Sequence, residues 1–200
     1  MRAWRDMVAA IREDRAMLHH YDGKYSDGRR GSNETSFARD AVTRVGFQML
    51  VAYRAMRFLV DARVPVAPMV VSRLIRHAYG SDIHWEAEFE PGVVLVHGMG
   101  LAVSAAARVE RGAILFQHVT LGMSRDAATS RVGAPVIEHD AHIGAGATIV
   151  GPITIGAGSK VMAGCVVRAS VPAESLVEAP APGVTVRARG AHRSRSEFNS

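Results

Sequence analysis

The 200-residue chain is poor in several things, and each shortage restricts what it can be. It has one cysteine, Cys165, so no disulfide can form within the chain, and no short apolar segment with a small-residue cleavage site follows Met1. Both absences predict a protein of the reducing cytoplasm, including the inner face of the membrane. Aromatic residues make up only 6%, and long uninterrupted apolar runs are missing. The most apolar stretch, Val45 to Val60, is broken by Arg54 and Arg57 and is too short and too charged to span a bilayer. Excess charge is slight as well. Twenty-four Lys and Arg against nineteen Asp and Glu give +5, part of it from Arg187, Arg189, Arg193 and Arg195, so nucleic acid is not an expected partner. What is plentiful is apolar content, 48%, enough for one domain with its own core and too much for a chain that is mainly disordered.

Residues 1 to 80 carry the helical patterns. Arg2 to His19 places Trp4, Met7, Val8, Ile11 and Met17 on a loose apolar stripe, and Asp22 to Asn33 is rich in glycine, serine and charge without periodicity, which predicts a loop. From Phe37 to Arg63 the positions Val42, Val45, Phe47, Met49, Leu50, Tyr53, Met56, Leu59 and Val60 predict one mostly buried helix, stopped before Pro65. A third helix is expected over Ala67 to Tyr79, closed by Gly80.

After Gly80 a six-residue period replaces the helical one. Aliphatic or small apolar residues recur at Ile83, Phe89, Leu95, Leu101, Ala107, Ala113 and Val119, then at Ile137, Ile143, Ile149, Ile155, Val161 and Val167. The segment 120–136 has no such rhythm and is expected as a loop pushed out of the repeating body. One bulky residue in six points inward and small residues follow it, as in Ile143-Gly-Ala-Gly-Ala and Ile155-Gly-Ala-Gly-Ser. Three such hexads make a triangular coil, and stacked coils bury an aliphatic column that no single repeat buries alone. The expected fold class is therefore mainly β: a left-handed parallel β-helix over 81–186, preceded by a short α-helical region and followed by a disordered basic tail, 187–200.

Asp82-Ile83-His84, Leu95-Val96-His97-Gly98-Met99-Gly100, Val119-Thr120-Leu121-Gly122, Ile143-Gly144-Ala145-Gly146 and Lys160-Val161-Met162-Ala163-Gly164 occur in this order over about residues 44 to 190. In order and spacing they resemble the serine acetyltransferase family of hexapeptide acyltransferases, including relatives that acetylate sugars of bacterial exopolysaccharides such as colanic acid. The resemblance implies an acetyl-CoA-dependent O-acetyltransferase, a homotrimer with active sites between neighbouring β-helices and no metal. It makes His97 the general base and Asp82 its carboxylate partner, a pairing that fixes the imidazole tautomer and stabilises the imidazolium. It also places Ala145 and Ala163 against CoA, with Gly144 and Gly164 keeping the surface flat and Lys160 facing the nucleotide phosphates. His84, His118 and Arg131 are the candidates for the acceptor side.

Departures from the family pattern concern the acceptor. Serine-specific members have an aspartate immediately before the catalytic histidine, where this chain has Val96, and an Arg-His-Pro motif after the extruded loop, where it has Gly133-Ala134-Pro135. A free amino acid presents two opposite charges, so losing both groups turns the expectation toward a glycan hydroxyl, with L-serine as the alternative and a non-catalytic hexapeptide scaffold as a second one. Members that dock into a sulfhydrylase use a C-terminal isoleucine; this sequence ends Phe198-Asn199-Ser200, so a cysteine synthase complex is not expected. The arginine-bearing helix within Val45 to Arg63 is a candidate for weak peripheral contact with a membrane. Glu138-His139-Asp140-Ala141-His142 looks like a metal cluster, but neighbours on a flat coil face point different ways, and solvated turn residues are expected there. Cys165 falls at a small-residue position and is expected as core filler.

Overall fold

The computed structural model describes residues 2–25, 36–125 and 129–179. The expected tail, 187–200, and most of the expected loop before the second helix lie outside them. Among the described residues are four helices, α1 (Arg2–Tyr25), α2 (Phe37–Thr43), α3 (Val45–Asp61) and α4 (Ala67–Tyr79), followed by short parallel strands.

The strands stack into three walls. The first wall holds the strands that begin at Asp82, Ala102, Thr120, Thr148 and Val166. The second begins at Glu88, Arg108, Val136 and Thr154, and the third at Val94, Ile114, His142, Lys160 and Leu176. The chain visits the walls in turn, so each coil is a triangle whose alternate residues face inward. Ile83, Leu115, Leu121, Ile137, Ile143, Ile149 and Ile155 are essentially inaccessible and form one continuous column.

The coils are not of one size. Val136 pairs with Thr154, His142 with Lys160 and Thr148 with Val166, steps of eighteen residues. Asp82, however, pairs with Ala102 and Val94 with Ile114, steps of twenty. The two extra residues lie at one corner: third wall to first wall takes eight residues from Val94 to Ala102 but six from Ile114 to Thr120. The inward ladder therefore runs Leu95, Val103, Val109, Leu115, Leu121, and this corrects the frame Leu101, Ala107, Ala113, Val119 expected from the sequence. Those four are buried too, but at corners two positions before the inward residue. The excursion that brings the ladder back into the original frame leaves after Gly122 and returns at Val136, and its base is an antiparallel pair, Ser124–Arg125 with Val132–Gly133.

The helices close one end and cover one wall. Met49, Leu50, Tyr53 and Met56 of α3 join Ile83, Phe89 and Leu95 of the first coil in a single core. Tyr53 donates its hydroxyl to Ala87 O at 2.5 Å and accepts from Phe89 N at 3.1 Å. Much of the apolar stripe of α3 is thus spent inside the chain. No helix among the described residues is long and apolar enough to cross a membrane. α1 lies on the third wall, with Leu18 against Val94 and Ile114, and the Tyr21 ring 6.5 Å from that of Phe116. Its Asp14, fully buried, accepts from Arg54 Nε at 2.9 Å, Arg54 Nη2 at 3.0 Å and Gly92 N at 2.8 Å. Burial pushes the Asp14 carboxyl up, and the Arg54 guanidinium pulls against that.

The single helix expected over Phe37 to Arg63 is two. Arg44 leaves helical geometry at φ −110, ψ 94, and the chain restarts at Val45. The break sets Gly46 directly on the first coil, where an added Cβ would stand 1.8 Å from Leu95 O.

Candidate active site

The corner between the third and first walls is a straight edge built by backbone hydrogen bonds between coils. His118 N donates to Met99 O at 2.8 Å, Gly146 N to Gln117 O at 2.9 Å and Gly164 N to Ala145 O at 2.9 Å. His97, His118, Ala145 and Ala163 therefore stand along one edge, with His97 at the widened first coil.

That widened turn is conformationally demanding. His97, Gly98 and Gly100 all have left-handed backbones, with φ of 65, 65 and 69. For histidine this costs about 1 kcal/mol, so surrounding contacts must impose it. Three elements do. Gly98 sits against α3, where a Cβ would meet Met49 Sδ at 2.7 Å and Gly46 Cα at 2.9 Å. Gly100 N donates to Tyr79 O at 3.2 Å, at the end of α4. Ser81 Oγ donates to Gly98 O at 2.9 Å and accepts from Leu101 N at 3.1 Å. The outcome is an exposed imidazole on a rigid base, and the ring has no hydrogen-bond partner among the described residues.

Asp82 reaches the same edge, its N–H on Leu101 O at 2.7 Å. Its half-exposed carboxylate is engaged by Arg76 Nη2 at 2.7 Å rather than by His97. His118 packs beneath the widened turn, its Nδ1 where a Cβ on Gly100 would fall. Next to His118 in the chain is Gln117, whose Oε1 is buried without a partner among the described residues. Neither Gln117, Ser81, Gly46 nor Arg76 was singled out from the sequence. No local pattern marks them, because both possible inward frames between Leu95 and Leu121 are buried.

The other expected residues distribute as follows. Gly144 is needed for coil stacking rather than for a flat outer surface, since a Cβ there would lie 2.6 Å from Ala163 N. Gly164 has open space around it and a left-handed φ of 71, so it serves the turn. Lys160 is exposed on the third wall beside His142, its partner in register. Burial, then Lys160 and Lys24, lower the His142 pKa below the ordinary histidine value. His84 stacks on Trp85 with ring centroids 4.3 Å apart and accepts from Glu86 N at 3.1 Å, at the edge between first and second walls. Arg131 belongs to the excursion that springs from that same edge. One chain thus does not gather His84 and Arg131 with His97.

Two departures acquire physical reasons. Val96 packs against the apolar cluster of Leu18, Phe47, Val94 and Ile114, where an aspartate would lose its hydration. At Gly133 a Cβ would press on Pro152 at 2.9 Å, and Ala134 is buried. Of the suspected metal cluster, His139 and Asp140 are exposed at a turn, Glu138 accepts from Ala157 N at 2.9 Å and His142 stands on a wall. Among the described residues no group of three such side chains is placed to hold a metal. Cys165 is buried in the column and its thiol approaches Val177 O at 3.6 Å.

Three walls of short parallel strands, one inward aliphatic per hexad and a helical cap define a left-handed β-helix of hexapeptide type, and the family described as bacterial transferase hexapeptide (six repeats) matches residues 134–169. The chain belongs to the serine acetyltransferase family of hexapeptide-repeat proteins. It is 31% identical over 153 residues to the serine acetyltransferase of Bacillus subtilis, covering 72% of this chain and 70% of that protein. With the serine acetyltransferase of Synechococcus elongatus it shares 36% over 132 residues, 66% of this chain and 53% of the relative. A solved serine acetyltransferase in complex with CoA superposes with a TM-score of 0.72 at 23% identity, over 88% of this chain and 71% of that one. The chain spans about half the length of curated relatives such as the Synechococcus protein. None of these comparisons supports the expected glycan acceptor.

Proposed function

We propose that the chain is an acetyl-CoA-dependent O-acetyltransferase whose acceptor is L-serine. The observation that carries this reading is His97, an exposed imidazole held on the widened corner of the edge that also carries His118, Ala145 and Ala163. An unhindered imidazole at that place takes the proton of an acceptor hydroxyl as the oxygen attacks the thioester carbonyl, and the proton then leaves with the CoA thiol. Asp82, on the same edge, is the anion that would stabilise the imidazolium. Ala145 and Ala163 leave room along the edge for an extended thiol such as pantetheine, and the CoA-bound relative of like fold supports CoA as donor. The relatives' names support serine over a glycan, and the half-exposed Arg76 guanidinium beside Asp82 offers a cation to an acceptor carboxylate.

The separation of His84 and Arg131 from His97 supports assembly into a trimer, in which one copy's excursion meets another's His97 edge. Thiol release from acetyl-CoA tests the reading, with L-serine, homoserine and a panel of sugars offered to the wild type and to His97→Ala. Saturable release with L-serine, reduced about a hundredfold or more in His97→Ala while CoA still binds, is expected. Release with sugars alone, or turnover that survives in His97→Ala, overturns it.

A further inference from the structure

We propose that Ser81 is a positioning residue for His97, an inference that rests on the catalytic reading of His97 given above. The widened corner creates a specific problem. The next coil meets Met99 O through His118 N, but two other backbone groups of the longer corner have no partner in the strand ladder. Gly98 O, on the residue after the imidazole, and Leu101 N are the two groups that bracket the tip of the turn at Met99 and Gly100. One hydroxyl meets both: Ser81 Oγ lies 2.9 Å from Gly98 O and 3.1 Å from Leu101 N, with Tyr79 O a further neighbour at 3.3 Å.

Ser81 itself is fully buried and immediately precedes Asp82. A single residue therefore ties the end of α4, the start of the first strand and the turn that immediately follows His97. Because His97 and Gly98 hold left-handed φ values, the turn has alternatives of lower local energy to relax into once that tie is cut. Relaxation would swing the imidazole relative to Asp82 and to the small-residue edge while leaving the column of inward aliphatics untouched. An alanine at 81 would also leave the Gly98 carbonyl and the Leu101 amide buried without their shared partner.

The test measures kcat, KM for acetyl-CoA and the titration of the His97 ring by NMR in the wild type and in Ser81→Ala. A fall in kcat of about ten- to a hundredfold is expected, with KM for acetyl-CoA unchanged and the His97 ring titrating at a shifted pH. Ser81→Thr, which keeps the hydroxyl, and Ser81→Val, its isostere without one, form a second pair that isolates the hydrogen bonds should Ser81→Ala fold poorly. Thr is expected to retain most of the activity and Val to behave as Ala. Wild-type kcat per folded molecule with an unmoved ring titration in the hydroxyl-free variants overturns the proposal, as does equal loss in Thr and Val. If the wild type itself shows no His97-dependent thiol release, the proposed activity fails, and the ring titration still decides whether Ser81 sets the imidazole.

Discussion

The coils from Val136 to Val167 and the coil from Asp82 to Leu101 are made of the same hexads, yet they do different things. In the later coils every step is eighteen residues, each inward position is aliphatic and the corner from the third wall to the first keeps one length. In the first coil a longer corner, two close glycine contacts and a buried serine hold a histidine in a backbone conformation it would not choose. Regularity supplies the stiff support, and the candidate site lies where regularity is broken.

The comparison breaks most directly at Gly46. Gly46→Ala puts a methyl against Leu95 O and pushes α3 off the widened corner. Thiol release per folded molecule is expected to fall about a hundredfold, and unchanged release would show that the helices do not brace the turn. Next comes the tie between α1 and this coil. Asp14→Ala leaves the buried Arg54 guanidinium without its carboxylate, and chemical denaturation is expected to report a loss of about 3–5 kcal/mol.

Within the regular stack, Ile149→Ala removes a fully buried inward side chain, and a loss of about 2–5 kcal/mol is expected. Its kcat per folded molecule should stay near the wild-type value. A large drop in kcat there would mean that support and site are not separable. The smallest effect concerns His142. Its pKa is lowered in the folded chain by burial and by Lys160 and Lys24, so the unfolded chain binds more protons just below the ordinary value of 6.5. Its contribution is complete above that pH and is lost as the pH falls through it. Thermal unfolding of His142→Gln should therefore depend less on pH between about pH 7 and 5 than the wild type does.

How far the sequence could be read follows the same division. From Ile137 to Val167 the isoleucines and valines leave one possible inward frame, and the structure uses it. Between Leu95 and Leu121 two frames are apolar at once, because Leu101, Ala107, Ala113 and Val119 are buried at corners while Val103, Val109, Leu115 and Leu121 point inward. Periodicity cannot choose between them, and so the widening beside His97 stayed hidden. Among the helices, the buried face of α1 includes Ala10, Asp14 and Leu18, and a buried aspartate does not look like part of an apolar stripe. Trp4, which does, is more than half exposed. His97 and Asp82 were legible as motif residues, whereas the Arg76 contact depends on how α4 meets the first wall, which no local pattern encodes.

The way α1 climbs the third wall has a mechanical consequence. A helical turn advances about 5.4 Å and neighbouring coils lie about 4.8 Å apart, so helix and solenoid behave like two screws of nearly equal pitch. The wall offers α1 apolar teeth on its first two coils, at Val94 and Ile114, whereas the next two carry His142 and Lys160 in register, so the helix can mesh only at that end of the stack. Slippage is stopped by a key in a slot: the Asp14 carboxylate, seated at once on Arg54 and on the Gly92 amide, fits at one height only.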